Sequence, residues 1–145
     1  MRPMKKATQF SLVLANRQGA MAQLAQILAA AEVNMQALAL SDGIHTGVVK
    51  LVVDKPDAAR DALRDAHLQF YEQEVMVVSL DDEAGALAKI CEKLAEDGLS
   101  IDYIYGSGGV PDEGSSRRCQ LIMSLSDLTA AEEALNLADA GWPRP

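Results

Sequence analysis

The sequence predicts an α+β protein built from two copies of one βαββαβ unit, each an antiparallel sheet with helices on one face. The first observation behind this is an internal repeat: residues 10–40 lie over residues 76–106 at a constant offset of 66 with no gap. Leu14, Gly19, Ala20, Ala22, Leu28 and Ala29 recur as Leu80, Gly85, Ala86, Ala88, Leu94 and Ala95, so one surface is used twice. The second is hydropathy, which switches within each copy between a period of two and a period of 3.6 residues. The third is that such a strand and helix order is satisfied by helices covering one face of an antiparallel sheet.

The elements follow in order. Residues 8–15 alternate Phe10, Leu12 and Leu14 with Gln9 and Ser11, as a half-buried strand does. A turn at residues 16–18 leads into a helix over 19–31 with Met21, Leu24, Ile27, Leu28 and Ala31 on one face. Residues 33–40 form a second strand, ended by the Ser41-Asp42-Gly43 turn, and 47–53 a third. Pro56 suits the first turn of a helix to about Ala66. One extended stretch over 68–80 then closes the first copy and opens the second, with no linker between them. The second copy has a helix over 84–97, strands over 99–105 and 117–125, and a helix from Thr129 to about Ala138. The expected domains are 1–74 and 75–145, the second with a truncated last strand because the chain stops at Trp142-Pro143-Arg144-Pro145. That truncation would leave a sheet edge exposed.

Charge excludes some functions. Lys plus Arg balance Asp plus Glu at 8 and 8 over residues 1–74, but count 5 against 13 over 75–145, which places the net charge of -8 in the second half. Nucleic acid is a poor partner for such a surface. Arg2, Lys5 and Lys6 begin like a secretion signal, yet Thr8, Gln9 and Ser11 break the apolar stretch that follows, so a cytoplasmic protein without a membrane partner is expected. Cys91 shares a helix face with Leu87, Ile90 and Leu94, and Cys119 alternates with Leu121, Met123 and Leu125. Both read as buried thiols, with a redox or soft-metal pair as the alternative. His45 and His67 sit in no ligand spacing, and Gly106-Ser107-Gly108-Gly109 opens no helix, so it reads as a strand-to-strand loop. Without a nucleophile paired with a base, a metal spacing or a nucleotide motif, neither an enzyme nor a cofactor is expected.

The turns carry a resemblance. Leu-Ala-Asn-Arg-Gln-Gly-Ala-Met at 14–21 and Glu-Val-Asn-Met at 32–35, with their counterparts Leu-Asp-Asp-Glu-Ala-Gly-Ala-Leu at 80–87 and Gly-Leu-Ser-Ile at 98–101, resemble a tandem pair of ACT domains over residues 7–142. These are small ferredoxin-like modules that sense amino acids. The resemblance implies two ferredoxin-like units whose antiparallel sheets are joined side by side, and a stand-alone regulatory protein that binds a free amino acid at composite sites between units. By the family pattern the ligand is gripped by the turn asparagine and by the asparagine at the second-strand entry of a neighbouring copy. That implies Asn16, Arg17, Gln18, Gly19, Ala20 and Asn34 in the first unit and Asp82, Gly85, Ala86 and Ser100 in the second. At Asn16 and Asp82 the alternative role is a helix cap. Gln18 and Ala84 replace a proline common in the family, and Asp81-Asp82-Glu83 makes the second turn acidic.

Assembly is also expected. The second strands should pair, 33–40 with 99–105 within the chain or with equivalent strands across a homodimer. Val75, Val77 and Ile122 lie opposite Met76, Val78 and Leu80, an apolar patch that another sheet or subunit would cover. The alternative function is a regulatory subunit that binds no ligand and acts on a metabolic enzyme by protein contact.

Overall fold

The computed structural model describes residues 4–41, 43–81, 83–107 and 118–139. The elements run β1 (Met4–Ala15), α1 (Ala20–Ala30), β2 (Met35–Ser41), β3 (Thr46–Val53), α2 (Pro56–Asp65), β4 (Tyr71–Asp81), α3 (Ala86–Glu96), β5 (Ile101–Ser107), β6 (Arg118–Leu125) and α4 (Leu128–Asp139). The chain divides into two compact units, Thr8–Gln73 and a second formed by Met1–Ala7 together with Glu74–Pro145.

In the first unit the strand order is β2-β3-β1, with the first residues of β4 beyond β1. The β1–β3 register runs from Gln9↔Val52 to Ala15↔Thr46, antiparallel. Phe10, Leu12, Val49, Leu51 and Val53 from the strands meet Leu24 and Leu28 of α1 and Ala59 and Leu63 of α2 in one buried cluster. Phe70 closes it edge-on against Phe10, with ring centroids 5.6 Å apart. Arg60 of α2 bonds Asp57 and, through Nε at 2.8 Å, the Glu72 carboxylate on β4. The bond from Arg60 holds the Glu72 carboxyl below the usual carboxylate range.

The second unit repeats this arrangement, β5-β6-β4, with the first residues of β1 in the outer position beside β4. Its core joins Met76, Val78, Leu80, Met123 and Leu125 to Ile90 and Leu94 of α3 and Ala131 and Leu135 of α4. Met4 packs on that core, and Lys6 Nζ lies 3.4 Å from Glu132 on α4. Residues 4–7, which lie ahead of the strand expected over 8–15, thus take the outer position beside β4 in this unit. The expectation for Trp142 to Pro145 lies outside the described residues, as do those for Asp42, Gly108, Gly109 and Arg117.

Backbone hydrogen bonds repeat as closely as the sequence does. Val33 N donates to Leu28 O as Leu99 N does to Leu94 O, and Asp54 N to Asn34 O as Ser126 N does to Ser100 O. Both second strands carry a register irregularity at the same place, between Met35 and Ala37 and between Ile101 and Tyr103.

Two assembly expectations change. Among the described residues β2 is hydrogen-bonded only to β3 and β5 only to β6, so each second strand is the free edge of its own unit and the expected pairing of one with the other within the chain does not form. The apolar patch needs no second subunit, because Val75, Val77 and Ile122 are already buried in the single chain. Tyr103 and Tyr105, on the neighbouring strand opposite Ser124 and Ile122, stack with ring centroids 6.5 Å apart. Burial, with Tyr103 beside it, pushes the Tyr105 hydroxyl above the ordinary tyrosine range.

Three outcomes are expected. Deleting residues 2–7 should strip the second unit of its outer strand, so amide hydrogen-exchange protection in β4 and β6 should fall while that of β3 persists; undiminished protection in β4 would show that residues 4–7 add nothing to it. Gly19 and Gly85 adopt φ of 85° and 89°, with open space where a Cβ would stand. Alanine at either position should therefore cost about 1 to 2 kcal/mol in urea unfolding, from backbone strain and not from a clash, and asparagine less. A depressed carboxyl stabilises the fold above its unfolded pKa of about 4.3, and this contribution disappears as pH falls through the lower folded value. Acidification from about pH 5 to about pH 3 should thus lower the urea midpoint of the wild type more than that of Glu72→Gln.

Candidate functional site

Each first strand ends by turning back over its sheet through four residues. In the first unit Arg17 N donates to Ala15 O at 2.8 Å and Ala20 N to Arg17 O at 3.3 Å; in the second Glu83 N donates to Asp81 O at 2.9 Å and Ala86 N to Glu83 O at 3.3 Å. Gly19 and Gly85, both left-handed, are the N-cap residues, and neither helix has a side-chain cap. Asn16 is therefore no helix cap. Its backbone N–H donates to His45 O at 2.8 Å and its Nδ2 reaches Gly43 O at 3.5 Å, which ties the turn to the β2–β3 connection. Among the described residues the N–H groups of Gln18, Gly19, Met21 and Ala22 donate to no backbone carbonyl. This is the set of orphan donors that a helix start leaves at its positive end.

Beside this turn lies a cleft of about 280 Å³, lined by Leu14, Ala15, Asn16, Arg17, Ala20, Met21, Leu40, Ser41, Gly43 and Gly47. Three of the expected residues, Asn16, Arg17 and Ala20, meet there; Gln18 and Gly19 are exposed on the same turn. Arg17 Nη2 donates to Gln23 Oε1 at 3.0 Å, and no carboxylate among the described residues pairs with it.

Asn34 stands elsewhere. It precedes β2, whose far end, Ser41, lines the cleft, and seven strand residues span roughly 20 Å. Its backbone N–H donates to Asp54 Oδ1 at 2.9 Å, and its counterpart Ser100 donates in the same way to Ser126 Oγ at 3.1 Å. Both lie at the opposite end of their unit from the turn. Gly85 and Ala86 sit on the second turn, where Glu83 takes the place of Arg17. Asp82 lies outside the described residues.

Sequence reasoning missed Leu14, Met21, Leu40, Ser41, Gly43 and Gly47 as site residues. The signal was available in the hairpin: a turn at residues 41–43 between paired strands brings its ends to the end of β1, opposite Gly47. Among the described residues no helix is long and apolar enough to cross a membrane, and no cluster of three His, Cys, Asp or Glu could hold a metal.

The comparisons with known proteins agree with this architecture. Protein BT0572 from Bacteroides thetaiotaomicron superposes with a TM-score of 0.84 at 26% identity, over 94% of this chain and 90% of that one. The ligand-free regulatory subunit of aspartate kinase from Thermus thermophilus superposes with a TM-score of 0.70 at 18% identity, over 98% and 97%. That from Thermus flavus gives 0.62 at 17%, over 94% and 95%. The last two likenesses are of fold alone. No curated protein matches the chain. The sequence model of the ACT domain pair matches residues 5–110, well over half of the chain; with two units of matching strand order and matching turns, the chain belongs to the ACT domain pair family.

Proposed function

We propose that this protein is a regulatory, non-catalytic ACT pair that binds a free amino acid at the first-unit turn and acts as a homodimer. The observation that carries the reading is the left-handed turn at Gly19: it starts α1, with N–H groups that have no backbone acceptor among the described residues, beside a cleft that also holds Arg17, a guanidinium with no acidic partner among those residues. A carboxylate is the anion such donors hold with little reorganisation. Asn16 adds a polar group that its weak bond to Gly43 leaves able to reorient, so Oδ1 can accept from an ammonium.

The dimer supplies the second half of the site. β2 is a free edge and carries Leu38, 44% exposed, and Leu40, 56% exposed. Pairing it antiparallel with its own copy about a twofold axis covers both and satisfies the edge. It also brings the entry of one β2 to the exit of the other, so Asn34 of the partner subunit would approach the cleft beside Ser41. In the second unit Glu83 opposes the helix dipole that Arg17 leaves unopposed, which makes the first turn the better anion site.

Those same exposed leucines favour a second reading, a subunit that works only by contact with a metabolic enzyme. Neighbours described as regulatory subunits of aspartate kinase lend that reading its partner class.

A thermal-shift screen of the twenty amino acids separates the two, since a ligand at about 100 times its dissociation constant adds roughly 2.7 kcal/mol of stability. Asn16→Ala should weaken the binding of the identified amino acid by roughly tenfold to a hundredfold in calorimetric titration. An affinity unchanged by that substitution, or a screen without any shift, would favour the contact-only subunit.

A further inference from the structure

The two units differ in charge along their edge strands. Residues 18–41, which hold α1 and β2, contain one charged side chain, Glu32; the matching residues 84–107 contain six, Lys89, Glu92, Lys93, Glu96, Asp97 and Asp102. α1 links β1 to β2 across β3 and so lies toward the edge of its sheet. Its start, Ala20 and Met21, shares the cleft with Leu40 and Ser41, and at its end Val33 N donates to Leu28 O. The exposed residues of this helix are Ala22, Gln23, Gln26, Ala29 and Ala30. A free edge strand and a neighbouring helix without charge have the composition of an interface centre.

Charge stands only at the two ends of this strip. Arg17 precedes α1, at the positive end of the helix dipole, and Glu32 follows it, at the negative end. The place Glu32 occupies is unfavourable twice over. Its φ is 58°, left-handed, where the second unit has Gly98 at 72°, and a carboxylate at a helix C-terminus opposes the dipole. The carboxylate pairs with no cation among the described residues: Lys55 Nζ donates to the Glu32 carbonyl instead, at 3.0 Å, and Asp54 accepts from the Asn34 N–H. His67 has the same φ at the exit of α2, so the backbone alone decides nothing. At Glu32 it coincides with an exposed charge that nothing in its own chain offsets, and such an outlier points to a role outside the chain.

We propose that two copies associate first unit to first unit, along β2 and α1 about a twofold axis, and that Arg17 of each chain pairs with Glu32 of the partner subunit to select this arrangement. This rests on the β2 pairing of the reading above. Antiparallel apposition brings the start of one α1 to the end of the other, so opposite charges and opposite dipole ends meet twice. The other pairings lack this. A first edge against a second sets Arg17 opposite Gly98 and Glu32 opposite Glu83, two like charges; a second against a second sets Glu83 opposite Gly98, beside Asp97. The Arg17 guanidinium presents five donors and bonds Gln23 with one, so the pair leaves donors for a ligand carboxylate in the cleft.

Sedimentation of the full chain tests this. The wild type should be a dimer at micromolar concentration. Arg17→Glu and Glu32→Arg each place two like-charge contacts in the dimer and should weaken self-association by roughly tenfold or more at low salt. Combining the two reversals should restore it to within about threefold of the wild type. The defect of each single variant should shrink in about 1 M salt, where charges are screened beyond roughly 3 Å. Asp42→Asn, at a residue outside those described, and Glu83→Lys should leave association unchanged. Single reversals without effect, or a double variant that associates no better than either, would overturn the Arg17 and Glu32 pair and leave the β2 dimer standing. A loss in Asp42→Asn as large as that in Glu32→Arg would give Arg17 a different acid, and a loss in Glu83→Lys would put the second unit at the interface; either overturns the proposal. A monomeric wild type would overturn it together with the dimer.

Discussion

A single backbone requirement organises both units: the chain must leave a strand and reverse over the sheet within four residues. It does so with a left-handed residue, and glycine takes that conformation without the penalty a Cβ would bring. Two results follow from that one residue. The helix is aimed so that Leu24 and Leu28, or Ile90 and Leu94, fall on the strands beneath. The N–H groups at its start are left as the orphan donors of a helix end, and in the first unit those of Gln18, Gly19, Met21 and Ala22 donate to no backbone carbonyl among the described residues. Core and candidate site are therefore two consequences of the same turn, and a change that moved the helix would disturb both.

Small size makes the division of strands equally consequential. Units of this length gain little from a core of their own. β1 serves the second unit with its first residues and the first unit with the rest, and β4 is divided in the same way at Gln73 and Glu74. The first unit is the contiguous stretch Thr8–Gln73, whereas the second combines Met1–Ala7 with Glu74–Pro145. Only the second unit draws on two separated segments, its outer strand coming from residues that precede the whole first unit.

The repeat made much of this legible. Gly19 with Gly85, the helix faces and the single extended stretch, expected over 68–80 and formed over Tyr71–Asp81, could all be read from period and offset, because each is set by local chemistry. Residues 4–7 could not. Met4, Lys5 and Lys6 have no apolar alternation to mark a strand, and what makes them one is a vacancy in a sheet that begins seventy residues later. The pairing of the two second strands within the chain failed for a related reason: a free edge says that a strand can pair, and nothing in its own residues says with what. The patch of Val75, Val77 and Ile122 was rightly read as covered, but local sequence could not show that the chain covers it itself. Of the site, the backbone half was legible at Asn16, Arg17 and Ala20. The apolar half was not, since Leu40 and Gly47 enter it through hairpin register and not through any motif.

The two units thus separate what duplication preserves from what it frees. Hydrogen bonds of the turn, the helix exit and the strand entry recur within a few tenths of an ångström, because a shift in any of them would leave buried backbone groups unpaired. Side chains at the rim are under no such constraint, and there the copies diverge in charge, Arg17 against Glu83, and in volume, Leu40 with Gly47 against Gly106 with Cys119. The first turn carries Arg17 and the second Glu83, while the scaffold beneath stays the same. A second unit of this kind still has a core of its own, an edge strand of its own and a place beside β4 for residues 4–7.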